Sequence, residues 1–386
     1  MNDKNVESRK NVDEDEFMEI KLLDSIDYEV VGKLLHDSYL PQWGEAGSPE
    51  WSPKYVEYLD KAYIQPGNGF YVGGFEGSAL IGIGVCFLHE WVVSEIGSVP
   101  VMCLCNCGVL PEHQKKGIAT AIVEKLEKAA KDKGVKLSYR VCNKSLNDHV
   151  ALSKVGYIKK LENAFQCARI MGSEMIGKTA QLKGYGRALK LLLKAVAGFP
   201  KEKNKVQYGT VREGTEADIT ACVKLLNAYK DSASISRTWT ENEFHSVIGN
   251  KDILDGTPFK VFFYVWDVDG EIKAVAVGRY EKIMYSTGTG LPAIIIHTGL
   301  ASDLLRKDKT SFAVSVLYEL KANGSETETF ATNLAVAHHE EKAYDKAGFN
   351  NDRSTRPLYV KALSDELNEW LQAEWKYKNY LIPYQR

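Results

Sequence analysis

CGVLPEHQKKGIATAIVEKL, residues 107–126, decides how this chain is read. An apolar run, VPVMCLCNCGVL, enters it as a long strand, and Pro111, which has no N–H to give a ladder, stops that strand. A tight loop then leads straight into a helix over residues 117–131, with Ile118, Ile122, Leu126 and Ala130 along one apolar stripe. Gly117 and Ala119 put no bulk where an anion would meet backbone amides. The unpaired N–H groups and positive dipole end of the helix N-terminus favour a phosphate there, and Lys115 and Lys116 add local charge.

Working outward, Gly134 suits a left-handed helix end, and Val135, Leu137, Tyr139 and Val141 then alternate as a strand. Upstream, FYVGGFEGSALIGIGVCFL reads as a hairpin with a Glu-Gly-Ser turn. The whole pattern returns. IKLLDSIDYEVVGKLLHDSY, a strand, a cap at Asp24 or Ser25 and an amphipathic helix, is echoed by TVREGTEADITACVKLLNAY, with Thr215 as N-cap and Asp218 at the third helical position. VLPEHQKKGIATAIVEKL is echoed by LASDLLRKDKTSFAVSVL, and ALSKVGY by AYDKAGF. The pairs Lys33 and Lys224, Gln114 and Arg306, Gly134 and Gly324, and Gly156 and Gly348 keep one order at a spacing of roughly 190 residues. The chain reads as two copies of one α/β domain.

Bulk composition agrees. A length of 386 residues favours two domains, and 44% apolar with 26% charged residues is the composition of a folded globular chain. A net charge of −2 gives no general attraction to nucleic acid, so any anion site is local. No apolar run reaches the roughly 18 residues that insertion in a membrane needs. The polar opening, residues 1–16, reads as a disordered leader rather than a signal peptide. Seven cysteines, an odd number, point to a reducing cytoplasm.

Gln114-x-x-Gly117-x-Ala119, placed after Val109 and Pro111, resembles the Q/R-x-x-G-x-G/A signature of the GNAT superfamily of acyl-CoA-dependent N-acyltransferases. ALSKVGY is similar to the L-Y-x-K-x-G-F of that family, and the resemblance covers about residues 17–170, recurring more weakly over about 208–362. It implies an α/β (α+β) fold of two GNAT-like domains, each a mixed, mostly antiparallel central sheet flanked by helices. These would occupy residues 17–172 and 208–386, the second with a C-terminal helical tail, joined by a basic helix and linker over 173–207. It also implies acetyl-CoA as co-substrate, no metal, and attack by a primary amine of a small molecule or peptide in a ternary complex. The coenzyme would rest on Val109, Gln114, Lys115, Lys116, Gly117, Ile118, Ala119 and Thr120, with Ser145 where the family usually has asparagine. The backbone N–H of Cys107 would meet the thioester carbonyl and Val109 the pantetheine arm.

The acid–base set departs from the family. Cys103 stands where relatives carry a glutamate base, so His89 and Glu90 on the preceding strand, or water, take its place as candidates. Leu152 aligns with the tyrosine that protonates the thiolate, with His149 a turn earlier. Copy two is the reverse: Lys309 replaces the cradle glycine, Asp308 adds negative charge, yet Tyr344 stands at the acid position. The coenzyme is therefore expected in copy one, with copy two helping to form the acceptor pocket. In the loop from Tyr39 to Leu59, Trp43, Trp51, Tyr55 and Tyr58 offer cation–π contact to an amine, with Glu45 or Glu50 nearby, although packing of a long loop explains them equally.

Other patterns compete. GSEMIGKT, residues 172–179, fits the P-loop pattern G-x-x-x-x-G-K-[ST], and VFFYVWD, ending at Asp267, imitates its metal-binding strand. But Asp267 runs into VDGEIKAVAVG, a hairpin with an Asp-Gly turn, and the motif falls at the seam between copies. Nucleotide hydrolysis rests on those eight residues alone; a non-catalytic acyl-CoA-binding role is the other alternative, favoured by Leu152 and Cys103. Cys103, Cys105 and Cys107 alternate along one strand, with Cys86 and Cys142 as possible neighbours, and read as core filling rather than metal ligands. His338-His339-Glu340-Glu341 and the basic run Lys183–Lys194 read as a solvated face and an interdomain bridge.

Overall fold

The computed structural model describes residues 18–39, 41, 48–142, 152–161, 167–170, 200–228, 233–285, 290–322, 330–333, 343–351, 357–373, 375 and 380–381. The leader, GSEMIGKT, the basic run at 183–194, the 338–341 run, Gly324, Trp43, Glu45, Ser145 and His149 lie outside the described residues.

The first half runs β1 (Met18–Leu23), α1 (Tyr28–Tyr39), β2 (Ser48–Pro49), α2 (Pro53–Leu59), β3 (Phe70–Glu76), β4 (Ala79–Val93), β5 (Gly97–Val109), α3 (Ile118–Asp132), β6 (Leu137–Val141), β7 (Ile158–Leu161) and β8 (Cys167–Ile170). The second repeats the plan: β9 (Thr210–Glu213), α4 (Ile219–Asn227), β10 (Ile235–Arg237), α5 (Glu241–Gly249), β11 (Lys260–Val268), β12 (Glu271–Met284), β13 (Gly290–Leu300), α6 (Arg306–Ala322), β14 (Phe330–Asn333), β15 (Asn350–Asn351), β16 (Leu358–Ala362), α7 (Asn368–Gln372) and β17 (Tyr380–Leu381). The matched glycines behave alike, Gly156 with φ 89° and Gly348 with φ 87°. Asp269 (φ 52°) and Gly270 (φ 85°) close the β11–β12 hairpin, and Arg212 holds Asp267 at 2.9 Å, so Asp267 stands at a hairpin end and not on a parallel strand.

Two mixed sheets result. The first orders β1-β3-β4-β5-β6-β16-β7 and the second β15-β8-β14-β13-β12-β11-β9. Most pairs are antiparallel; β5–β6, β13–β14 and the short β10–β17 are parallel. The sheets do not divide where the sequence does. β16, from the C-terminal part, lies between β6 and β7 of the first sheet, and β8 lies between β14 and β15 of the second. Each sheet thus takes strands from the other half, since β10 and β17 also join the first sheet on β4 and β2 joins the second on β12.

One apolar core fills the space between the sheets, with Tyr55, Trp91, Phe244 and Phe259 almost fully buried. A second lies under α3, where Ile118, Ile122, Leu126 and Ala130 pack as the stripe predicts. Because both faces of β6 are covered, its alternation is less meaningful than the sequence suggests: Ser138 and Arg140, between the apolar positions, are buried too. Among the described residues no helix is long and apolar enough to cross a membrane.

Candidate functional site

The end of β5 and the start of α3 form the site. Gly117 caps the helix in the left-handed region (φ 85°), and a Cβ there would meet nothing within 4 Å, so the space in front of the helix is open. Lys115 is left-handed as well (φ 64°), which folds the loop back on itself. The first intrahelical bond is Ala121 N–H to Gly117 O at 3.0 Å, and the amides of the opening turn before it have no intrahelical acceptor. Successive amides around a left-handed residue make a concave anion seat. Gln114 Nε2 donates to Val109 O at 3.0 Å and ties the loop to the strand end. Lys115 and Lys116 are exposed beside it, Ile118 is buried, and Ala119 and Thr120 are half-buried.

A fork opens next to this seat. The parallel ladder joins Val101–Cys103 to Leu137–Tyr139 and stops, so β5 runs on beside β4 while leaving β6. Arg140 sits at the fork, its Nη1 donating to Cys105 O at 3.3 Å and Leu104 O at 3.5 Å. Opposite, Val85 pairs with Asn106 and Cys86 with Leu104, leaving Cys105 as a bulge. The bulge flips the pleat. Cys103 and Cys105 belong to the core between the sheets, whereas Cys107 packs with the α3 side, so the three cysteines do not share a face as simple alternation predicts. Cys107 lies opposite Gly84, whose missing Cβ would stand 2.3 Å from Ile122 Cγ2; only glycine lets α3 approach the strand here. The Cys107 N–H donates to the Tyr39 hydroxyl at 2.9 Å.

Beside the bulge is a small cavity of about 30 Å³. Apolar side chains of α1, α2 and β3 wall it, Cys105 and Asn106 line its β5 side, and Arg279 enters from β12 of the second half. Arg279 is buried, donating from Nε to Glu281 at 2.6 Å and from Nη1 to Tyr63 at 3.3 Å. Trp51 is on the cavity wall. Tyr55 is not among the lining residues; it donates to Glu281 at 2.6 Å and stacks on Phe259 at 4.3 Å, fixed in the interface between the halves.

The proton-transfer candidates are not gathered at Cys107. His89 lies five residues along β4 from Gly84, roughly 17 Å at strand rise, with Nε2 3.2 Å from the Tyr139 hydroxyl. Glu90 points the other way by the period of the pleat, is exposed, and accepts from Ser98. Leu152 is buried, and Tyr344 sits in the second half's core, 2.5 Å from Thr298 Oγ1. In the second half the counterpart of the loop is helical. Arg306, equivalent to Gln114, is already the first residue of α6, and the N–H groups of Asp308 and Lys309 both bond to Leu305 O. Those amides are spent in the helix, and the Lys309 side chain is buried.

Burial, and then the charge of Arg237, hold the pKa of His89 well below its ordinary value; burial, Arg279 and Arg237 bring His297 down to about 3. Both are neutral in the folded chain. As pH falls below about 6.5 the unfolded chain takes up protons that the folded chain refuses. Stability is expected to fall by up to about 1.4 kcal/mol per pH unit for each histidine, until the folded pKa is reached. Urea midpoints at about pH 7.5 and about pH 5 check this. His89→Gln should flatten the decline, and an unchanged slope would remove His89 from the account.

Sequence reasoning missed three residues here: Tyr39, Arg140 and Arg279. Arg140 falls between the apolar positions of an alternating strand, a pattern that does not mark it as part of a site, and nothing local links Arg279 to a site in the other half.

Residues 32–157 match the model of the Acetyltransferase (GNAT) family. Among solved structures the chain is similar to N-myristoyltransferase of Saccharomyces cerevisiae with bound myristoyl-CoA, at a TM-score of 0.65 and 12% identity over 89% of this chain and 82% of that one. It is also similar to a tandem GNAT protein from the clavulanic acid biosynthesis pathway, at a TM-score of 0.56 and 12% identity over 90% of this chain and 99% of that one. No curated protein matches the sequence. Identities this low speak for fold alone, whereas the family model falls on the half that holds the loop and the fork. Over residues 32–157 the chain thus matches the GNAT acetyltransferase family model, and over most of its length it has the fold seen in a tandem GNAT protein.

Proposed function

We propose that this chain moves an acetyl group from acetyl-CoA to a primary amine of a small molecule or peptide, by direct attack in a ternary complex. The observation that carries the reading is the left-handed Gly117 opening α3 beside a strand that has left its neighbour. The amides of residues 117–120 would hold the coenzyme diphosphate, with Lys115 and Lys116 adding charge; Ser145 keeps only the role that the family resemblance gives it. Val109 would guide the pantetheine arm along β5, and the Cys107 N–H would polarise the thioester carbonyl. The amine nitrogen forms the new C–N bond, the C–S bond breaks, and the thiolate leaves as a good leaving group. With His89 and Glu90 away from Cys107, the amine proton passes to water and the thiolate takes one from it. The acceptor enters from the α1–α2 side, past Trp51. The family resemblance makes the second half a partner in the acceptor pocket, and Arg279 on the cavity supports that role. The free cysteines suit a reducing compartment such as the cytoplasm.

One observation favours a non-catalytic acyl-CoA-binding role: the absence, among the described residues around Cys107, of the base and acid that relatives use. Release of free thiol from acetyl-CoA over a panel of primary amines separates the two. Amine-dependent release is expected. Tight binding with no release under any amine would favour the binding role.

A further inference from the structure

We propose that the amine acceptor carries a carboxylate, and that Arg279 takes this carboxylate inside the cavity beside the β5 bulge. This rests on the acyl-transfer reading above and names the acceptor class of that site: amino acids and their like, rather than diamines or plain alkylamines. It also gives the second half a definite task, since Arg279 comes from β12 while the loop at Gly117 belongs to the first half.

The cavity wall is mostly apolar, with Leu35, Val56 and Val85 in it, and among the described residues that line it Arg279 is the single charged one. The guanidinium is 2% exposed. Its Nε is spent on Glu281 and its Nη1 donates to Tyr63, while Nη2 makes no hydrogen bond with a described residue. The Tyr55 hydroxyl is committed to Glu281 at 2.6 Å. A desolvated N–H without a partner costs free energy, and a carboxylate is the planar acceptor that fits a guanidinium edge. On the β5 wall Asn106 offers a second donor, because its Nδ2 makes no hydrogen bond with a described residue and its Oδ1 accepts from Tyr39 only at 3.5 Å. The positive field survives the ion pair with Glu281: after burial, Arg279 and Arg237 are what bring His297 down to about 3. A volume of about 30 Å³ holds roughly two waters, which is room for a carboxylate head. Asn106 precedes Cys107 by one residue, so a short chain spans from that head to an amine at the thioester. A second ammonium in the same place would meet Arg279 across apolar walls and be repelled.

The test is release of thiol from acetyl-CoA by the full chain, with glycine, β-alanine and γ-aminobutyrate set against their primary amides, the matching alkylamines and putrescine. At the best chain length, kcat/KM for the carboxylate is expected to exceed that of its amide and its alkylamine by about 10- to 100-fold. Putrescine should be the poorest acceptor. Arg279→Met combined with Glu281→Gln removes both charges of the pair and keeps an acceptor for Tyr55, so no charge is stranded. The ratio of carboxylate to amide, read within that variant whatever its total activity, should fall to near unity. Arg279→Lys keeps the charge without the fork and should keep an intermediate ratio. Equal rates for carboxylates and amides in the unaltered chain overturn the proposal and leave acyl transfer standing. So does a ratio that survives the double variant. Should that variant fail to fold, the comparison of amines in the unaltered chain decides alone. No turnover with any amine sinks the acyl-transfer reading, and this proposal with it.

Discussion

Gly117→Glu is expected to cost roughly 100-fold or more in acetyl-CoA affinity while leaving the chain folded. The two effects separate because they arise in different places. A side chain at φ 85° strains the backbone by about 1–2 kcal/mol, but a Cβ there meets nothing within 4 Å, so no core is disturbed. The melting temperature should drop by only a few degrees. The carboxylate, in contrast, stands in front of the helix amides and repels the diphosphate they would hold. Like charges brought together cost several kcal/mol, and about 2.7 kcal/mol is 100-fold in Kd. Gly117→Ala is the control, sharing the strain without the charge, and should retain most of the affinity. Calorimetry with melting curves of both variants checks this; equal binding by Gly117→Glu would move the coenzyme elsewhere.

Val360→Asp is expected to remove the folded protein altogether, including a site more than 200 residues away in sequence. Val360 is fully buried on β16, between Tyr139 of β6 and Ile158 of β7. An unpaired carboxylate in that position costs several kcal/mol, against a total stability of about 5–15 kcal/mol. The stranded charge would expel β16 from between β6 and β7 and detach that end of the first sheet. Val360→Ala is the informative companion, weakening the chain by about 2 kcal/mol without unfolding it. Since β8 and β16 are exchanged, the two halves should then lose stability together. Hydrogen exchange in β5 and in β12 reads this directly: both should quicken by similar factors, whereas a change confined to β5 would mean the halves unfold separately.

The exchange also marks how far the sequence could be read. The duplication, the strand–loop–helix at 107–126 and the left-handed glycines are local features, set by proline, glycine and periodicity within a dozen residues. The hairpin at Asp269-Gly270 is equally local, which is why Asp267 could be removed from the P-loop reading. Which strand lies beside which is a different matter. β7 and β8 are consecutive in sequence, and no periodicity says that they join different sheets. The bulge at Cys105 is invisible for the same reason, since it exists only relative to β4, and it turned a row of three cysteines into two faces. Tyr39 was read as the edge of a loop; its bond to Cys107 spans 68 residues. His89 and Glu90 were alternative candidates on one strand, where neighbours point apart, so at most one of them could face the site.

A calorimetric titration of the unaltered chain with acetyl-CoA tests the central claim most directly. The loop at Gly117 leaves the first amides of α3 open, whereas its counterpart at Lys309 is wound into α6, so one molecule per chain is predicted. Two would show that the second half keeps a working cradle. None, with the protein folded, would contradict the acyl-CoA site and the transferase reading with it.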